Sequence, residues 1–260
     1  MFKPFLQPLN KPIADWSGQR VWLIGASSGI GAALAHRLHA QGAQVIVSAR
    51  NAVALQNFVH THPGARALPC DVRQPESLQS AANQLQLESD RLDLVLYCAG
   101  YYQPMRAQTL NVEQCQIHHE INYQGVLHCL QAVLPWLKQQ GHGHISVVSS
   151  VAGYRGLPKA LAYGPTKAAL INLAEILYVD LKPDNIDISL INPGFVKTPM
   201  TAQNDFEMPA LITPDEAAQG ILKGWANGQF HIHFPKRFTR WMLLLRILPA
   251  RCLFAITRRL

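Results

Sequence analysis

Seven short apolar runs recur along this 260-residue chain, and longer helix-like stretches separate them. The runs are Arg20–Ile24, Gln44–Ala49, Ala65–Cys70, Leu92–Cys98, His144–Ser149, Ile186–Asn192 and Phe230–Phe234. Such alternation is the pattern of βαβ units around a buried parallel sheet. Helices are predicted to start near Gly29, Val53, Pro75, Val112, Tyr163 and Pro214. The chain is therefore expected to be an α/β protein with a doubly wound parallel sheet of about seven strands. It is long enough to bury a sizeable core as one domain. Ligands of such sheets bind outside the carboxyl ends of the strands, where the strand order reverses.

The first of those ends carries Gly25, Ala26, Ser27, Ser28, Gly29, Ile30 and Gly31, between an apolar strand and a helical stretch. Glycines let a backbone turn tightly and approach a pyrophosphate, whose charge the helix N-terminus favours. About 120 residues further on, Ser150, Tyr163 and Lys167 stand thirteen and then four residues apart. A tyrosine and a lysine one helical turn apart share a helix face, so the ammonium is expected to lower the phenol's pKa. The phenol then serves as general acid or base near neutral pH, with a serine hydroxyl on the same substrate oxygen. That chemistry suits carbonyl–alcohol interconversion.

These pieces, in this order, resemble the short-chain dehydrogenase/reductase family from about Gly18 to about Thr198. The order is the glycine turn, Asp71 with Val72, Ala99 with Gly100, Asn122, Ser150, Tyr163 with Lys167, and Asn192-Pro193-Gly194. The resemblance implies a Rossmann-type sheet and assigns further roles. Tyr163 exchanges the proton, Lys167 also holds the nicotinamide ribose, and Ser150 rather than Ser149 orients the substrate oxygen. Asn122 supports a proton-relay water. Asp71 and Val72 contact adenine, although Asp71 could equally cap the next helix. Ala99 and Gly100 let the cofactor lie close. Pro193, Gly194, the backbone at Phe195 and Val196, and the Thr198 hydroxyl face the nicotinamide carboxamide. Two departures stand out: Ile24 replaces a threonine before the first glycine, and Tyr97 and Cys98 replace two asparagines that tie the central strands together.

No acid stands at the end of the second strand, where one would accept hydrogen bonds from a ribose 2′-hydroxyl and repel a 2′-phosphate. Arg50 can pair with that phosphate, and Ser48 and Asn51 could add hydrogen bonds, so NADP(H) is favoured over NAD(H). The bland alternative is a solvated Arg50. Five cysteines without CxxC spacing suggest neither disulfides nor a zinc site. The histidine pairs lack companion ligands, so no metal is expected.

Residues 1–17, interrupted by Pro4, Pro8 and Pro12, read as an irregular arm rather than a leader. Residues 18–235 read as the dinucleotide-binding catalytic domain, and 236–260 as a basic amphipathic tail. The tail holds Lys236, Arg237, Arg240, Arg246, Arg251, Arg258 and Arg259 and no acid, which accounts for the whole net charge of +7. The neutral body argues against a nucleic-acid partner. On a helical wheel Phe238, Trp241, Met242, Leu245 and Leu248 share a face, with Arg240 nearly opposite. Two readings stay open: the tail packs on the domain beside the substrate mouth or a partner subunit, or it lies on an anionic membrane. The substrate is expected to be apolar, walled by Met200, Phe206, Met208, Leu211 and Ile212 on a lid and by Tyr154, Arg155, Leu157 and Leu161. A cytoplasmic protein, peripheral to the membrane under the second reading, is expected. The resemblance implies a homodimer or homotetramer through helices near Val112–Lys138 and Tyr163–Leu181, which could also simply cover the sheet. The rival functional class is a non-catalytic NADP(H)-binding sensor or scaffold on the same fold.

Overall fold

In a computed structural model, residues 7–257 are described; residues 1–6, and Arg258 and Arg259 of the tail with Leu260, lie outside them. Seven strands form one parallel sheet: β1 Arg20–Ile24, β2 Gln44–Ser48, β3 Arg66–Ala67, β4 Leu94–Tyr97, β5 Gly143–Val148, β6 Ile186–Pro193 and β7 His231–Phe234. Their spatial order is β3-β2-β1-β4-β5-β6-β7, so the chain reverses direction across the sheet between β1 and β4. There Ile24 pairs with Tyr97. The expected Ala65–Cys70 strand shrinks to two ladder residues at the sheet edge, while Leu68 N and Cys70 N still donate to Val47 O at 3.0 Å and Ala49 O at 3.1 Å, so Pro69 between them sits with its N position on the free edge, where no donor is needed.

Why the strands read as continuous apolar runs follows from the two cores. Trp22, Ile24, Val95 and Tyr97 point to one face of the sheet, and Val21, Leu23, Leu94 and Leu96 to the other. Period-two alternation with both faces covered leaves no solvent side. Two buried indoles are satisfied by sheet serines: Trp22 Nε1 donates to Ser48 Oγ at 2.8 Å and Trp225 Nε1 to Ser146 Oγ at 2.9 Å.

The covering helices are α1 Gly29–Ala40, α2 Ala52–Thr61, α3 Pro75–Glu88, α4 Val112–His119, α5 Gly125–Gln140, α6 Tyr163–Leu181 and α7 Pro214–Ala226. The single helix read over Val112–Lys138 is in fact α4 and α5 joined by a π-helical turn, Glu120–Gln124. Such turns are rare and recur at functional sites. Residues 7–17 run irregularly across α7 and β6, where Asn10 Nδ2 donates to Ile188 O at 2.7 Å and Trp16 packs on Trp225.

The tail forms α8 Lys236–Ile247 and α9 Ala250–Thr257. Arg155, expected as a substrate wall, instead donates to the carbonyls of Leu245 at 3.1 Å and Leu248 at 2.6 Å. A cation there satisfies orphan carbonyls at the C-terminus of α8 and complements its dipole.

Candidate active site

The carboxyl end of β1 shows why glycine is required. Gly25 has φ +92°, and a Cβ on it would stand 2.3 Å from Ala99 N, so the turn and the end of β4 touch backbone to backbone. Gly25 N and Ala26 N donate to Ser48 O at 2.7 and 3.1 Å, which pins the turn without the threonine that Ile24 replaces. Ser28 caps α1 with no side-chain hydrogen bond, and the first turn of α1 holds no acid. The first N–H groups of α1 therefore have no side-chain cap, the arrangement that suits an anion. Gly31 does not line the cleft; a Cβ there would lie 2.3 Å from Gly25 O, so its smallness serves turn packing.

From this turn a cleft of about 570 Å³ runs along the strand ends. Gly25, Ser27, Ser28, Gly29 and Ile30 line one end, with Arg50, Asn51, Asp71 and Val72 beyond them. Ala99, Gly100, Ser150, Tyr163, Lys167, Pro193, Gly194, Val196 and Thr198 complete the lining, with Thr198 close to Gly29. Cys70 and Cys98 also line it, which the sequence reading missed, and Met200, expected on the lid, reaches it as well. Ser48 does not: it is fully buried, and its hydroxyl accepts from Trp22. Asn51 Oδ1 caps α2 by accepting from Ala54 N at 3.0 Å, leaving its amide hydrogens for other partners.

Asp71 does not cap the next helix, whose N-cap is Gln74. Its carboxylate is gripped by Arg73, with Nη2 donating to Oδ2 at 2.7 Å, and that contact holds the carboxyl below its usual range. Arg50, exposed at the end of β2, adds a second cation near the same carboxylate.

Tyr97 supplies a tie of its own in place of the expected amide. Fully buried, its hydroxyl donates to Ile121 O at 2.6 Å and so fastens β4 to the π-turn. The next residue, Asn122, also lies outside the cleft wall: Oδ1 accepts from Tyr101 N at 2.7 Å, and Nδ2 donates to Tyr101 O and Thr166 Oγ1. It stands behind Gly100, whose Cβ position is 3.6 Å from Asn122 Oδ1 and 3.9 Å from Lys167 Nζ.

At the end of β5 the two serines separate. Ser149 Oγ donates to Lys167 O at 2.7 Å and is committed to α6, whereas Ser150 Oγ accepts from Ala152 N at 3.1 Å and faces Tyr163. Lys167 is buried with Nζ donating to Val148 O at 2.9 Å, 5.5 Å from the Tyr163 ring centroid. The expected depression of the phenol is absent. Burial pushes Tyr163 well above the usual tyrosine range, and the Ser150 hydroxyl pulls it only partly back. Burial also lowers Lys167 to about 8. Desolvation outweighs the attraction of a distant ammonium that is itself desolvated.

A second cavity, about 720 Å³, meets the first at Ser150, Tyr163, Gly194, Met200 and Thr201. Its walls are mostly apolar: Tyr102, Leu157, Phe195, Phe206, and Phe238, Met242 and Leu245 from α8. Of the expected lid residues only Met200 and Phe206 reach it. Ile212 packs into the α1/α7 core and Leu211 is exposed. Tyr154 is buried with its hydroxyl against His231 Nε2 at 2.8 Å, and Leu161 is exposed, so neither forms the wall. Tyr102, missed by the sequence reading although it follows Gly100 closely, packs edge-on against Tyr163 with ring centroids 5.0 Å apart. Its hydroxyl donates to Asn204 Oδ1 at 3.1 Å, and Lys159 pairs with Asp205, so the segment after Thr198 is tied to the domain at both residues. Among the described residues no group of three histidine, cysteine or acidic side chains could hold a metal.

Comparison with known proteins matches residues 19–208 to the family model for short chain dehydrogenases. The chain is similar to an uncharacterized oxidoreductase of Myxococcus xanthus, 32% identical over 252 residues that cover 95% of this chain and 100% of the relative. In fold it is similar to a Burkholderia cenocepacia short chain dehydrogenase in complex with NADP (TM-score 0.83, 22% identity, 94% of this chain and 98% of the other). It is similar also to a Burkholderia phymatum short chain dehydrogenase/reductase in complex with NAD (TM-score 0.81, 20% identity, 88% and 93%).

Proposed function

Because the chain belongs to the short-chain dehydrogenase/reductase family, we propose that it is an NADP(H)-dependent oxidoreductase that interconverts a carbonyl and an alcohol on an apolar, lipid-like substrate. One observation carries the reading: Ser150 and Tyr163 are shared by the two cavities, one with a glycine turn and a free helix N-terminus, the other apolar. The first fits a dinucleotide, since Gly29, with φ +58°, leaves room where a Cβ would press on Thr198 at 3.0 Å. Ser27 to Ile30 would hold the pyrophosphate, Arg50 and Asn51 the 2′-phosphate, Asp71 and Val72 the adenine, and Lys167 the nicotinamide ribose. Pro193, Gly194, Val196 and Thr198 would face the nicotinamide. A bound nicotinamide dinucleotide supplies the hydride for the carbonyl carbon or accepts it from the alcohol.

The rest is the work of side chains. Tyr163 gives its phenolic proton to the carbonyl oxygen as negative charge develops there, and takes a proton from the alcohol in the reverse direction. Ser150 donates a second hydrogen bond to the same oxygen and fixes its position. Lys167, held on Val148 O, places a positive charge behind the phenol. Asn122 positions this group by holding the Tyr101 backbone to Thr166 on α6. Exposed apolar residues on α4 and α6, Val112, Ile176 and Val179, suit pairing with a second copy of the chain.

Arg50→Glu is expected to weaken NADPH binding by about 10- to 100-fold, the loss of one charge-assisted contact, and to change NADH binding far less. Fluorescence titration of both nucleotides checks it, and equal affinities untouched by the reversal would refute the NADP(H) assignment. The pH profile follows from Lys167. Its folded value is lowered from 10.5 to about 8, so the cation is present below pH 8 and is lost above it. Ketone reduction (kcat/KM) is expected to be level toward neutral pH and to fall above about 8, whereas a profile flat past 10 would exclude Lys167 as the controlling group. Between those two values the unfolded chain holds a proton that the folded chain lacks, so this residue's contribution makes stability rise with pH.

A further inference from the structure

We infer that the outer face of α8 and α9 docks this chain on an anionic lipid surface, and that the apolar cavity behind α8 takes its substrate from that bilayer. The second clause rests on reading that cavity as the substrate site. Helix α8 is a wall with two lined sides. Phe238, Met242 and Leu245 face inward and line the cavity. Outward, Arg237, Arg240, Trp241, Leu244 and Ile247 occupy an arc of about 120° at 100° per residue. On that arc Trp241 is 68% and Ile247 77% exposed, and α9 next to it in the chain also leaves Arg251, Phe254 and Ile256 exposed. The sequence reading placed Trp241 on one face with Phe238, Met242 and Leu245; those three line the cavity, whereas Trp241 at the edge of that face is exposed.

Large apolar side chains left in water beside arginines are what an interfacial helix presents, with tryptophan at the headgroups and guanidinium groups reaching phosphates. The charge selects the partner. The arc carries Arg237 and Arg240, and no acid occurs from Lys236 to Leu260, so two copies meeting across this face would set like charges against each other. An anionic headgroup layer is complementary to it. Arg246, off this arc, lies 3.7 Å from Glu175 and helps hold the helix on the domain. Among the described residues no helix is long and apolar enough to cross a membrane, so the contact is with the surface. Three of the cavity's own rings lead from α8 to solvent: Phe238 lies 5.7 Å from Phe195, which lies 5.7 Å from the exposed Phe206.

Intrinsic fluorescence offers a direct test, because Trp16, Trp22, Trp136 and Trp225 are all buried and Trp241 alone of the five tryptophans is exposed. With vesicles of phosphatidylcholine and phosphatidylglycerol, the full chain should co-sediment and its emission should shift to the blue. Brominated lipid should quench it. Phosphatidylcholine alone, or high salt, should reduce binding at least about tenfold. The double variant Arg237→Glu/Arg240→Glu should lose vesicle binding by a similar factor while NADPH affinity stays unchanged. A long-chain ketone carried in anionic vesicles should be reduced about tenfold more slowly by that variant, and a short water-soluble ketone equally fast. Equal binding to neutral vesicles, or a blue shift that follows protein concentration without lipid, would overturn docking. Equal turnover of the vesicle-borne ketone by the variant would overturn substrate supply from the bilayer. Vesicle binding is read without nucleotide or substrate, so failure of the oxidoreductase reading shows separately as lost NADPH binding or lost turnover of the soluble ketone.

Discussion

Tyr163→Phe should lower ketone reduction by about 10²- to 10⁴-fold, the range expected for removing a general acid, while NADPH binds within a factor of about three. The separation rests on where the hydroxyl stands. The ring packs edge-on against Tyr102 and lies beside Lys167, contacts that phenylalanine keeps. What disappears is the proton donor facing Ser150 at the junction of the two cavities. Burial raises the phenol, so in the wild type it is protonated across the physiological range and suited to reduction. Stopped-flow NADPH oxidation and nucleotide titration on the same preparation decide the matter. Turnover preserved in the variant would move the acid elsewhere, and Tyr102 would be the next group to test. Loss of turnover with the cellular role intact would favour a sensor or scaffold.

The parts legible in the sequence are those carried by backbone geometry. The ladder limits Arg20–Ile24 and the start of α1 at Gly29 follow from an apolar run, a glycine turn and a helix in succession, each set by local chemistry. The family spacing brought Ser150, Tyr163 and Lys167 to the cleft. Less legible was anything decided by how side chains share space. Tyr97 read as a lost amide, yet its length lets it reach across to Ile121 O and fasten the turn that bears Asn122. Ser48 read as a phosphate contact, but strand alternation turns it to the Trp22 indole. The Tyr163–Lys167 pair carried the right spacing and the wrong electrostatic consequence, since i,i+4 spacing reports a shared face and says nothing of desolvation. For the tail, helical periodicity found the cavity-facing residues, and only packing showed that Trp241 stays in solvent.

Gly25→Ala is expected to harm the fold directly, because two independent costs fall on one atom. A φ of +92° lies in the region an L side chain avoids, and the new Cβ would sit 2.3 to 2.7 Å from the backbone of Ala99 and Cys98. Left-handed strain of about 1–2 kcal/mol adds to about 1–3 kcal/mol of overpacking against main chain, which no rotamer change relieves. That sum should lower Tm by roughly 5–15 °C, measured by calorimetry, with nucleotide binding lost alongside. Two companions divide the cost. Gly64→Ala has φ +82° but meets nothing within 4 Å, so it should carry the strain alone. Gly29→Ala has φ +58° and presses on a Thr198 methyl at 3.0 Å rather than on backbone, so its fold should survive better while the anion cradle is filled. If Gly25→Ala melts no lower than Gly64→Ala, the close approach of β1 and β4 is not what demands glycine there. The cleft would then owe its shape to the Ser48 carbonyl holding Gly25 and Ala26, and not to contact across the point where the strand order reverses.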